Sequence, residues 1–126
     1  MKLSTFMAIA AVLAFVFGLA FILVPAQTMS AYGVTLDAAG QWVGRYLGSA
    51  FLGIAVLGWL ARNATQGDAL RAILLGLFVL SVTGLVVAVL DRIYGSGNAL
   101  VWSTVAIYLF LTVGFGYYQF SKPPSS

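Results

Sequence analysis

Apolar residues fall into four long runs along this chain, separated by short polar breaks. A hydrocarbon layer of about 30 Å is crossed by roughly 20 helical residues, since each rises about 1.5 Å. The pattern predicts helices from Leu3 to about Val24, Trp42 to Leu60, Leu70 to Leu90 and Ala99 to Phe120, then a short polar tail at 121–126. Pro25 stops the first, because it lacks an N–H for the ladder and restrains the residue before it. Arg62 ends the second, Asp91 and Arg92 the third, and Lys122, Pro123 and Pro124 the fourth. No run alternates with the two-residue period of a barrel strand, and backbone groups in lipid must find partners within their own segment, so helix is the expected form. Short connections make neighbouring helices antiparallel. The expectation is one transmembrane domain over 1–126, all-α, an integral membrane four-helix antiparallel bundle.

The longest connection, Ala26 to Gln41, is the only one with room for shape: Tyr32-Gly33 suggests a turn, and Asp37 suits the cap of a short helical stretch leading into the second span. Asn63 to Asp68 and Tyr94 to Asn98 read as turns. The first run has Lys2 ahead of it and small residues around Val24-Pro25-Ala26, features a secretory signal shares, but it is about twice the usual length of a signal core and reads better as a span. Gly18-Leu19, Tyr32-Gly33 and Trp42 recur in order as Gly84-Leu85, Tyr94-Gly95 and Trp102, at different spacings. Duplication of a two-helix unit, a device of membrane transporters, would leave such an echo, but the ordinary composition of membrane hairpins produces it more readily.

Composition sharpens the picture. Hydrophobic residues make up 62% and charged residues 7% of 126, against about 25% charged in a soluble domain. The mean hydropathy is +1.04. The six Lys and Arg and three Asp are scattered singly, which fits membrane topology rather than nucleic-acid binding. Lys2, Arg62, Arg71 and Lys122 fall on one predicted side, Arg45 and Arg92 on the other. Four against two favours both termini in the cytoplasm, a bias small enough to leave insertion in both orientations open.

Candidate chemistry is sparse. There is no His, Cys or Glu, so the commonest general base, the usual zinc, haem and iron–sulfur ligands and any disulfide framework are missing; no cofactor, no metal and no catalytic residue is expected. No carboxylate lies in mid-span, which disfavours a proton-coupled small exporter. The asparagine and phenylalanine signature of small fluoride channels is not found, and no span carries a retinal-type Lys.

What stands out is small residues and one charge. Gly44 and Gly48 form a small-xxx-small pair, with Gly53 and Gly58 further along; Ala10, Ala14 and Gly18 line a face of the first span, and Ala88 follows Gly84 by four in the third. Such stripes let helices approach closely, either within this chain or against another subunit or a second copy. Arg45 is the one charge plainly inside a span, about one turn past Trp42. It either snorkels to the headgroups or turns inward to pair with Asp91 or Asp37. Trp42, Tyr46, Trp102, Tyr32 and Tyr94 share its predicted level, an arrangement that an aromatic belt explains and that also suits an anionic headgroup or a quinone-like ring.

Pro25, Tyr32-Gly33, Gly40 and the run Gly44-Arg45-Tyr46-Leu47-Gly48-Ser49-Ala50-Phe51-Leu52-Gly53 resemble small bacterial four-helix membrane proteins, the DoxX-like group and related families of unknown function. That resemblance implies a bacterial inner-membrane location and a four-helix fold, and for DoxX-like members an association with quinone or thiol redox systems. Having no Cys, this chain would take no part in thiol chemistry itself. Together these features predict a non-enzymatic accessory or structural membrane protein that packs against other subunits or itself. The alternative is binding or transport of a small anionic, lipidic or quinone-like ligand at the outer face.

Overall fold

The computed structural model describes residues 2–65, 67–95 and 97–120. Five helices follow in order: α1 (Leu3–Leu23), α2 (Pro25–Ala31), α3 (Ala38–Ala61), α4 (Asp68–Tyr94) and α5 (Val101–Phe120). Among the described residues there is no strand. All but α2 are long and apolar enough to cross a membrane, so the chain is a small polytopic membrane protein of all-α class. It divides into two compact units, Met1–Arg62 and Asn63–Ser126.

In the first unit α1 and α3 form an antiparallel pair. Met7 and Ala11 lie beside Gly58, Gly18 beside Gly48 and Leu52, and Phe21 beside Gly44. On α1 the buried positions include Met7, Ala11, Gly18 and Phe21, followed by Pro25 of α2; on α3 they are Gly44, Gly48, Ala55, Gly58 and Ala61. Steps of three, four and seven keep one face toward the partner, and the small side chains bring the backbones together.

Pro25 does more than end α1. Its ring presets the backbone for a first helical turn, so α2 starts at the residue where the ladder of α1 breaks. The sequence predicts irregular loop here. Seven residues later α2 closes on a glycine: Gly33, at φ 77°, donates to the Ser30 carbonyl at 2.9 Å, and Val34 donates to Met29 at 3.0 Å. This pair of bonds is the Schellman ending, which needs a left-handed residue that glycine adopts without strain. Asp37 then caps α3, its carboxylate accepting from the Gly40 amide at 2.7 Å. The cap starts the spanning helix itself, four residues before the predicted Trp42.

In the second unit α4 and α5 are likewise antiparallel: Gly84 faces Tyr108, and Phe78 faces Gly116 and Phe120, the two rings edge to face at 5.4 Å. Leu70, Leu74, Leu77, Ser81 and Ala88 form the buried stripe of α4, and the Ser81 hydroxyl donates to Leu77 O at 2.7 Å. That helix runs on to Tyr94, past the predicted stop at Leu90, because Asp91 and Arg92 are compatible with a last turn and Gly95 is the first residue to leave it. Asn98 folds the next turn by accepting from Leu100 N at 2.9 Å, which delays α5 to Val101 rather than Ala99.

Candidate functional site

Arg45 sits two turns into α3, facing the last turn of α1. Its Nε donates to the Ile22 carbonyl at 3.3 Å, and its guanidinium carbon lies 4.8 Å from the centre of the Trp42 ring. The local cause is the break at Pro25. A proline nitrogen carries no hydrogen, so the ladder that would continue α1 loses its donor to Phe21 O and is interrupted in its last turn. Ala20 O and Val24 O still accept from Val24 N and Thr28 N, both at 2.9 Å, and the Thr28 hydroxyl adds contacts to them at 3.1 Å and 2.7 Å; Ile22 O takes its donor from Arg45 across the helix pair. A cation at a helix C-terminus also opposes the partial negative charge of the aligned carbonyls.

Geometry assists the reach. Side chains on a helix lean toward its N-terminus, so Arg45, near the start of α3, leans outward, back over Trp42. Asp37, the one acid in its unit, is occupied by the Gly40 amide. Arg45 therefore extends toward the end of α1 and bonds to its backbone. Asp91 belongs to the other unit, where it is exposed and its backbone carbonyl accepts from Gly95 N at 2.7 Å.

Every tryptophan of the chain carries an arginine. Beyond Arg45 on Trp42, the Arg62 guanidinium carbon is 3.9 Å from the Trp59 ring centre, and that of Arg92 is 5.8 Å from Trp102. Arg62 is further tied by an Nη1 hydrogen bond to the Trp59 carbonyl. Arg92 keeps a buried Nε with no hydrogen-bond partner. Within the first unit, the antiparallel pair puts Lys2 and Arg62 at one end and Arg45 at the other. In the second, Arg71 lies toward one end and Arg92 with Trp102 toward the opposite one. Lys122, counted in the charge tally, lies outside the described residues. Trp42 and Tyr46 are exposed beside Arg45; Trp102 and Tyr94 are exposed in their own unit.

The glycines singled out by the sequence separate into two kinds. A Cβ on Gly48 would lie 2.7 Å from the Gly18 carbonyl oxygen, one on Gly18 3.0 Å from Leu52 Cδ2, and one on Gly44 3.3 Å from Pro25 Cβ. On Gly84 it would run into the Tyr108 ring. Gly53 differs: nothing lies within 4 Å of its added Cβ, and it is exposed beside exposed Ser49 and Ala50. On α1 the close contact to Gly58 is made by Ala11, a residue the small-residue stripe of Ala10, Ala14 and Gly18 omits. The partnership of Arg45 with Ile22 has no signal in the sequence, because its acceptor is backbone.

Among the described residues no three of His, Cys, Asp and Glu gather where a metal ion would bind. No family model, no curated protein and no solved structure matches the chain.

Proposed function

We propose that this small polytopic membrane protein is a non-catalytic accessory or structural subunit whose α3 packs, through Ser49, Ala50 and Gly53, against another membrane protein or a second copy of itself. The observation that carries the reading is Gly53. Its side of α3 is built of small residues yet meets nothing within its own unit, while Gly44, Gly48 and Gly58 on the opposite side already serve α1. In lipid, where apolar burial gives helices little reason to associate, small side chains are the usual means of close backbone approach. The lack of His, Cys and Glu leaves few groups for acid–base chemistry and supports a role without catalysis. The same proposal puts the protein in a bacterial inner membrane with both termini in the cytoplasm, as the Lys and Arg tally and the DoxX-like resemblance suggest.

Gentle extraction from the native membrane, followed by sizing and mass spectrometry, tests the idea. The chain should elute as part of a larger assembly, and Gly53→Leu should release it as a folded monomer. A wild-type chain that runs alone and co-purifies with nothing sinks the proposal.

A further inference from the structure

We infer that Arg45, backed by Trp42, holds one phosphate-type anion at the membrane surface. The inference does not depend on what packs against Gly53. Depth is the first argument. Arg45 bonds to Ile22, one residue short of the end of α1 at Leu23, so the guanidinium, although its residue lies two turns into α3, is held at the level where the first span ends. Phosphates of a bilayer lie just beyond that boundary, and an arginine there reaches them with little desolvation.

Orientation is the second. The guanidinium is planar and presents its donors as a fixed fork. With Nε on the Ile22 carbonyl, the plane is held from behind, and the two terminal amino groups carry no bond to any described residue. They are also not sealed in, unlike the orphaned Nε of Arg92. Two parallel N–H donors match two oxygens of a phosphate ester, the geometry that gives arginine its preference for such anions.

Charge is the third. The unit Met1–Arg62 holds Lys2, Arg45 and Arg62 against Asp37 alone, and Asp37 caps α3 eight residues before Arg45, roughly 12 Å along the axis. The carboxylate is engaged by the Gly40 amide and forms no ion pair with Arg45. A cation half-buried at a membrane boundary draws its counter-charge from outside its own unit, and Trp42 and Tyr46, 60% and 76% exposed, offer the amphipathic rings that suit a headgroup level. Arg62 provides an internal contrast: it has the same residue type and the same tryptophan three positions earlier, but its Nη1 is spent on its own helix.

The shared chemistry is a phosphate ester, whether the headgroup of an anionic lipid or a soluble ester. The full chain in dodecylmaltoside is titrated with dioctanoyl phosphatidylglycerol and, separately, with glycerol 3-phosphate, and binding is read by native mass spectrometry. Wild type should bind at least one of the two; the lipid alone identifies a headgroup site, and equal binding of both identifies a soluble-ester site. Arg45→Gln should weaken binding about tenfold, as expected for loss of charge-assisted hydrogen bonds, while Arg62→Gln leaves it unchanged. Since Arg45 also ties down α1, a measurement on the unaltered protein accompanies the variants: the bound ester should slow phenylglyoxal modification of Arg45 about tenfold and that of Arg62 not at all. Binding by neither probe, full affinity in a folded Arg45→Gln, equal loss in Arg62→Gln, or an unprotected Arg45 overturns the assignment.

Discussion

Two glycines five positions apart on α3 should respond to the same substitution with opposite sign. A methyl group on Gly48 would lie 2.7 Å from Gly18 O, 2.8 Å from Ile22 Cγ1 and 3.1 Å from Ile22 N, whereas ordinary contact begins at 3.4 Å. The shortfall against the oxygen is 0.7 Å (3.4 less 2.7). Two of these three atoms are backbone of α1 and cannot rotate aside, so the helices must part. Overpacking of this kind costs about 1–3 kcal/mol, and the better helix propensity of alanine returns about 1 kcal/mol, which leaves a net loss of about 0–2 kcal/mol. In the monomer Gly53→Ala meets nothing within 4 Å and keeps only the gain. Because propensity cancels between the two variants, their difference isolates the steric cost, about 1–3 kcal/mol. Gly58→Ala, whose methyl would sit 3.6 Å from Ala11 Cβ, should follow Gly53→Ala. Each variant is unfolded by raising the sodium dodecyl sulfate fraction in dodecylmaltoside micelles, with tryptophan fluorescence as the readout. Equal destabilisation at 48, 53 and 58 would refute close backbone contact at Gly48 as the basis of the α1–α3 pair.

Three further outcomes follow from the same structure. Gly84→Ala should destabilise the second unit by about 1–3 kcal/mol; because the obstacle is the Tyr108 ring rather than backbone, a double-mutant cycle with Tyr108→Leu should recover at least about 1 kcal/mol. Asp37→Ala should cost about 1 kcal/mol and speed amide exchange at Gly40, the residue its carboxylate accepts from. Trp42 and Trp59, both on α3, are 17 positions apart, a rise of about 25 Å that nearly spans a hydrocarbon core of about 30 Å. Single-tryptophan variants retaining either one, or Trp102, should be quenched more by lipids brominated near the headgroup than by lipids brominated near the chain ends; stronger deep quenching would contradict an interfacial position.

The spanning helices were legible because their signal is long and their alternatives few: some 20 apolar residues in lipid leave the backbone nowhere to bond but along itself. Their ends were less so. Asp37 was recognisable as a cap, yet nothing in the sequence says whether a capped turn joins the next span or stops before it, and α3 proved continuous from Ala38. Pro25 was readable as a stop but not as the first residue of α2, since the same fixed dihedral suits both. The small residues of α3 posed a different difficulty. Gly48 and Gly53 look alike in one dimension, but at 100° per residue they lie on different sides of the helix, and only the position of α1 tells which is packed. The Arg45–Ile22 bond was invisible for a simpler reason: a backbone acceptor has no residue type.

Helix α3 combines three surfaces that the physics of lipid keeps separable. One side meets α1 through glycine and alanine, where association rests on van der Waals contact and a few polar bonds rather than on expulsion of water. Another side, around Gly53, is smooth and unused within its own unit. At the Trp42 end Arg45 spends one donor on the broken end of α1 and keeps the rest of its fork free. A bulky residue at 53 adds volume where nothing stands, so it leaves the α1–α3 pair intact while blocking any helix that would dock there. A methyl at 48 does the reverse. Loss of the charge at 45 removes one backbone bond at the end of the pair and the anion fork together, which is why Arg62, already bonded at the far end of the same helix, is the control that tells anchoring from binding.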